Sequence, residues 1–210
     1  MPAIALTFDD GPNTVTTPQV LDLLEKEGAM ATFFLIAQNI TPTSAAVVRR
    51  AREMGCEIEN HSLTHAHMDQ MAVAKIRQEV RACTGKIWEI TGEKPAFFRP
   101  PFIAVSQALY DTVDLTMICG VGCEDWVPEV TAEERARRVL DSAEDGQIVL
   151  LHDSEGNQHT VEALKTIIPE LKRRGYELMT VSALFQKKKI IPRRGWLYSN
   201  VLQETADNHL

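Results

Sequence analysis

Short unbroken apolar runs alternate along this chain with longer stretches in which apolar residues recur every three or four positions, the patterns of buried strands and amphipathic helices. The first run, Ala3-Ile4-Ala5-Leu6, leads into Thr7-Phe8-Asp9-Asp10-Gly11-Pro12. Thr17-Pro18 then puts a proline in the first turn of a helix whose Val20, Leu21, Leu23 and Leu24 keep helical spacing until Gly28 ends it. Ala31 to Ile36 reads as the second strand, Thr41-Pro42 opens a helix that runs to Gly55, and Cys56 to Glu59 is a short third strand. A long helix over Val73 to Ile90 stops at Gly92, followed by a strand at Ala96 to Phe98, a short helix at Ser106 to Asp111 and a strand at Leu115 to Cys119. Thr131 and Glu134 predict a capping box for a helix reaching Ser142. Gln147 to Leu151 is the sixth strand, and a helix from Thr160 to Arg174 aligns Val161, Leu164, Ile167, Ile168 and Leu171 on one face before Gly175. Tyr176 to Met179 and Val181 to Phe185 add a seventh strand and a last short helix.

Strands that are apolar throughout and alternate with helices mean a parallel sheet covered on both faces. About seven such units in 210 residues predict an α/β fold closed into a compact barrel, shorter than the usual eight-fold form, with a doubly wound open sheet as the alternative. Residues 1–186 form the expected domain. Residues 187–210 read as a C-terminal tail, whose Lys187-Lys188-Lys189 and Arg193-Arg194 suggest a solvated basic terminus.

Composition narrows the partners more than the fold. A chain that is 44% hydrophobic and 24% charged is ordinarily globular. Its formal charge of -7 argues against a nucleic-acid footprint and favours a neutral substrate. Cys56, Cys83, Cys119 and Cys123 are scattered, without the pairs of a zinc site or the density of a disulfide scaffold, and are expected to be reduced and mostly buried. The longest apolar run, Ala29 to Ala37, is too short to span a bilayer, so no membrane insertion is expected. No signal-like segment precedes Asp9, which predicts a cytoplasmic protein; the alternative is a catalytic fragment of a secreted or cell-surface protein. The oligomeric state is left open.

Candidate chemistry collects just beyond the strands. Asp9 and Asp10 stand where the first strand ends and Gly11-Pro12 turns the chain, and neighbouring acids can share a site only where strand alternation breaks. Such a pair makes physical sense if a metal takes one carboxylate and leaves the other as a base. After the third strand, His61 and His65 have the four-residue spacing that puts both on one side of a helical turn, as zinc and other borderline metals require. The spacing of His67 places it outside that ligand set, as a supporting or surface group. Arg99 follows the fourth strand, Asp125 and Trp126 the fifth, and Leu150, His152 and Asp153 close the sixth. This is the edge at which parallel α/β proteins build active sites.

These residues resemble the NodB-like polysaccharide deacetylases, carbohydrate esterase family four. The resemblance rests on Thr7-Phe8-Asp9-Asp10-Gly11-Pro12, His61-Ser62-Leu63-Thr64-His65, Arg99-Pro100-Pro101-Phe102, Asp125-Trp126 and Leu150-Leu151-His152, in that order. It implies a distorted (β/α) barrel of about seven strands and a divalent metal, zinc, cobalt or nickel, held by Asp10, His61 and His65. It also implies Asp9 as catalytic base and His152 as acid paired with Asp125. Arg99 would orient Asp9, Trp126 and Leu150 would line the acetyl pocket, and the Phe102 N–H would serve the oxyanion. Two departures stand out: Phe102 replaces the usual Tyr, and Gly122 replaces an Asp common in the fourth motif, which bears on the setting of Arg99 and Asp9. The implied function is hydrolysis of acetyl groups on a carbohydrate, foremost N-acetyl groups of a GlcNAc-containing polymer or oligosaccharide of peptidoglycan or chitin type. An O-acetyl esterase acting on xylan or another hemicellulose is the first alternative. A carbohydrate-binding protein without activity is the remote one, since no ligand, base or acid is missing.

Overall fold

The structure, a computed structural model, describes residues 1–204. Its elements run β1 (Ala3–Asp9), α1 (Thr16–Glu27), β2 (Thr32–Leu35), α2 (Ser44–Glu53), β3 (Glu57–Asn60), α3 (Val73–Thr91), β4 (Phe97–Phe98), α4 (Gln107–Thr112), β5 (Thr116–Ile118) and β6 (Val121–Gly122). They continue through α5 (Ala132–Ser142), β7 (Ile148–His152), α6 (Gln158–Arg173), β8 (Glu177–Leu178), α7 (Val181–Lys188) and β9 (Leu197–Tyr198). The sheet order is β6-β7-β1-β2-β3-β4-β5-β9, with β8 beside the start of β1, and every strand pair is parallel.

Strand alternation sorts the core into an outer and an inner set. Ile4, Leu6 and Phe8 of β1 pack outward with Val20, Leu21 and Leu24 of α1 and Leu164, Ile168 and Leu171 of α6. Ala3 and Ala5 point inward with Phe34, Phe97, Ile118, Ile148 and Tyr198, and α7 adds Val181, Leu184 and Phe185 to that cluster. Asp9 continues the inward set, which places its carboxylate at the top of the barrel interior.

The barrel is distorted because two short strands stand where one regular unit would be. β6 lies beside β7, and β9 pairs with β5 through Met117↔Leu197 and Ile118↔Tyr198. The chain then crosses to β7, where the Ile148 N–H donates to the Ser199 carbonyl at 3.0 Å and Gln147 bridges Asn200. The solvated terminus is therefore corrected in part: Lys187, Lys189, Arg193 and Arg194 are exposed, but Leu197, Tyr198 and Val201 are buried. Lys187 pairs with Glu177, Lys188 with Asp145 and Arg194 with Asp114. A two-residue strand among basic residues shows no periodicity of its own, so only the open space between β5 and β7 defines it. Residues 205–210 of the expected tail lie outside the described residues.

The capping box is half formed: the Thr131 hydroxyl accepts from the Glu134 N–H at 3.2 Å, while the Glu134 carboxylate takes Arg137 and Arg138. All four cysteines are free thiols, three of them buried, and burial pushes Cys83 and Cys123 up to about 12. Among the described residues no helix is long and apolar enough to cross a membrane.

Candidate active site

Asp9 ends β1 in extended conformation, and Asp10 turns into the left-handed region at φ 75°. That turn breaks the alternation, so both carboxylates reach one imidazole: His61 Nε2 lies 3.5 Å from Asp9 Oδ2 and 3.6 Å from Asp10 Oδ1. His65 Nε2 lies 3.5 Å from the same Asp10 oxygen. Gly11 follows because a Cβ there would stand 2.8 Å from Oδ2 of Asp153, which is buried beneath the turn.

The segment from His61 to His65 is not the helical turn that the spacing suggests. It is a loop with left-handed residues at Ser62 (φ 71°) and His65 (φ 59°). Three buried groups pin it. The Asn60 side chain accepts from the Ser62 N–H at 2.8 Å and donates to the Val80 carbonyl of α3 at 2.9 Å. The Ser62 hydroxyl accepts from the His65 N–H at 2.9 Å. Glu79 of α3, fully buried, accepts from the Thr64 N–H at 2.9 Å and its hydroxyl at 3.0 Å. His61 Nδ1 meets the Arg99 carbonyl at 2.7 Å, which requires a proton on Nδ1 and turns Nε2 toward Asp10.

Asp10, His61 and His65 fit a divalent metal. Their ligand atoms all lie within 4.8 Å of one another, and Asp10 Oδ1 is buried with no hydrogen-bond partner among the described residues. Burial and the neighbouring His61 charge push His65 down, which favours the neutral ligand form.

Asp9 is set apart by Arg99, whose Nη1 donates to its Oδ1 at 2.6 Å, both side chains being buried. Burial alone would raise the Asp9 carboxyl, but the charges of Arg99, His61 and His152 outweigh it and hold it below the usual range. The guanidinium sits 4.2 Å over the Phe34 ring, and its Nε and Nη2 are buried without hydrogen-bond partners among the described residues. Gly122 offers no carboxylate to take them. It lies exposed under Trp126, whose ring a Cβ would meet at 3.2 Å.

His152 closes β7, directly beside Asp9 in the register. Asp125 accepts from its backbone N–H at 2.7 Å and holds its Nδ1 at 2.8 Å, while the Thr160 hydroxyl donates to the same carboxylate at 2.8 Å. Burial works against protonation of His152, but the hydrogen bond and charge of Asp125 prevail and push it up to about 9. Asp153 next to it accepts the Thr17 hydroxyl, and burial with the charges of Asp10 and Asp9 pushes it up to about 7.

Asp9, Asp10, His61, His65, Phe102, Trp126, Leu150 and His152 line one cavity of about 380 Å³, and Arg99 and Asp125 stand behind it. His67 is exposed and stacks on Phe102. Sequence reading missed Glu79 and Thr160, and placed Asp153 at the strand end without a role. A charged residue on the buried stripe of α3, in step with Ile76, Cys83 and Ile87, is the one signal that pointed to Glu79.

A parallel barrel with an Asp-His-His cluster at its strand ends, flanked by a second carboxylate and an imidazole, is the architecture of a metal-site hydrolase. The chain matches the polysaccharide deacetylase family model over residues 1–117 and belongs to that family. It is 46% identical to a bifunctional xylanase/deacetylase of Pseudobutyrivibrio xylanivorans, a match covering 94% of this chain and 33% of that protein. It is 36% identical to a peptidoglycan-N-acetylglucosamine deacetylase of Bacillus cereus, covering 88% of this chain and 89% of the other. The structure of a family 4 acetyl xylan esterase from Clostridium thermocellum with a cobalt ion superposes with a TM-score of 0.93 at 41% identity, over 96% of this chain and all of that one.

Proposed function

We propose that this protein is a metal-dependent hydrolase that removes acetyl groups from a polysaccharide, with N-acetyl groups of a GlcNAc-containing glycan as its first substrate. The observation that carries this reading is the meeting of Asp10, His61 and His65 with Asp9 and His152 around one cavity. Asp10, His61 and His65 would hold the ion, and imidazole with carboxylate suits zinc, cobalt or nickel. When bound, such an ion would polarise the acetyl carbonyl and lower the pKa of a water toward neutrality.

The protein supplies the proton transfers. Arg99 occupies one oxygen of Asp9 and keeps the carboxyl ionised, so Oδ2 accepts a proton from the attacking water. The Phe102 N–H steadies the oxyanion of the tetrahedral intermediate. His152, protonated through Asp125, gives its proton to the departing nitrogen or oxygen. Trp126 and Leu150 border the space for the acetyl methyl.

The Bacillus relative, matched along most of its length, supports the N-acetyl reading. Higher identity to the xylanase/deacetylase and to the acetyl xylan esterase favours a second reading, O-acetyl groups of xylan. The first of these carries the matching unit as a third of its length, in keeping with the alternative that this chain is the catalytic piece of a larger secreted or cell-surface protein. Acetate release from N-acetylated chito-oligosaccharide and from acetylated xylan, before and after chelation and with zinc, cobalt or nickel restored, tests the proposal. Chelation is expected to abolish release. Full activity without detectable metal overturns the metal role, and release from xylan alone replaces the first substrate by the second.

A further inference from the structure

Two large aromatic side chains at the cavity are more than half exposed, Phe102 at 56% and Trp126 at 55%. Trp126 meets the His152 ring edge-on at 5.6 Å and lies against the bare backbone of Gly122. Phe102 has no such support from β-structure. It sits in the left-handed region at φ 59°, ψ 11°, followed by Ile103 at φ 54°. Bulky side chains pay for that conformation, and residues held this way gather at ligand sites.

The loop holds Phe102 there by closing on itself: the Ile103 N–H donates to the Pro100 carbonyl at 3.0 Å and the Ala104 N–H to the Pro101 carbonyl at 3.1 Å. The ring is then fixed by two imidazoles. His65 tilts against it at 4.6 Å, and His67 stacks on it at 4.1 Å with 12° between planes. His67 is outside the cavity lining, its side chain 55% exposed with Nδ1 3.5 Å from Asp69. It therefore backs Phe102 from outside.

The geometry points to the Phe102–His67 stack as a platform for a pyranose ring of the glycan, with His67 as the positioning residue that fixes the plane of Phe102. This rests on the deacetylase reading above. A flat apolar ring at the mouth of a polar cavity suits the C–H face of a neutral sugar, which offers apolar area on one side and hydroxyls on its rim. The acids around the cavity and the net charge of -7 disfavour an anionic occupant. The acetyl methyl needs a far smaller apolar surface than this stack presents.

The test compares an N-acetylated chito-oligosaccharide and an acetylated xylo-oligosaccharide with trifluoroethyl acetate, an activated ester that has no ring. In His67→Ala, the glycan-to-ester ratio of kcat/KM is expected to fall about fivefold, mainly through KM, and His67→Phe to restore it to within about twofold. Phe102→Ala should lower the ratio about tenfold or more. Metal content, measured on each variant, reports whether His65 has been disturbed. An unchanged ratio in His67→Ala, or equal losses on glycan and ester, overturns the platform. Failure of the wild type to release acetate from any glycan while it cleaves the ester overturns the deacetylase reading, and the platform with it.

Discussion

Asp9 and Asp10 are neighbours of the same type in different surroundings. Asp9 is buried against Arg99, while Asp10 offers a bare oxygen to two imidazoles. Asp9→Asn is therefore expected to keep the metal and lose about 10² to 10⁴ in turnover, as steady-state rates with elemental analysis would show. Metal loss in that variant, with retention in Asp10→Asn, would reverse the two assignments. His152, pushed up to about 9, should be protonated at neutral pH, so cleavage of an N-acetyl substrate should fall as pH rises through about 9. Asp125→Asn should move that fall to lower pH. The same shift has a stability side: the folded pKa exceeds the unfolded one, so the contribution is complete below about 6.5 and is lost as pH rises through about 9. His152→Ala should cost more on an N-acetylated oligosaccharide than on an aryl acetate, because an amine must be protonated to leave and a phenolate need not be. Equal losses on both would assign His152 to attack or positioning instead.

Individual elements decide how firmly those groups are held. α3 carries no residue of the cavity wall, yet its Glu79 fixes Thr64 in the middle of the histidine loop, and its Val80 carbonyl and Thr84 hydroxyl hold Asn60 at the start. The loop has left-handed residues at Ser62 and His65, so without those bonds it would relax toward cheaper backbone conformations and part the two imidazoles. Glu79→Ala is expected to weaken metal affinity about 10- to 100-fold, measured by competition with a chelator, and Glu79→Gln to recover part of it. Unchanged affinity with a lowered melting temperature would make Glu79 a support of α3 alone. β1 needs no such support from a distant side chain: five consecutive residues pair with β7, and this sets Asp9 beside His152.

The barrel as a unit depends on its last described strand. Leu197 is fully buried between β5 and the outer cluster of α4, and Tyr198 packs edge-on against Phe185 of α7 inside the barrel. Leu197→Ala should cost about 2 to 5 kcal/mol in urea unfolding, with the metal site still formed in the folded fraction. A change below about 0.5 kcal/mol, the range of a surface substitution, would show that closure by β9 contributes little.

Most of the barrel and nearly all of the cavity wall were legible from residue patterns. Runs such as Ala3–Leu6 and Ile148–Leu151 are apolar because both faces of a parallel strand are buried, and that burial leaves a signature in one short stretch of chain. Asp9, Asp10, His61, His65 and His152 were legible because strand ends announce themselves by turn residues. What stayed hidden depends on partners distant in sequence. β6 and β9 are two residues long and exist only through their neighbours, and the histidine loop takes its shape from Glu79, fourteen residues beyond His65. The stacking of His67 on Phe102 joins segments 35 positions apart. Local periodicity records which residues are buried; which distant side chains meet is settled only when the chain closes on itself.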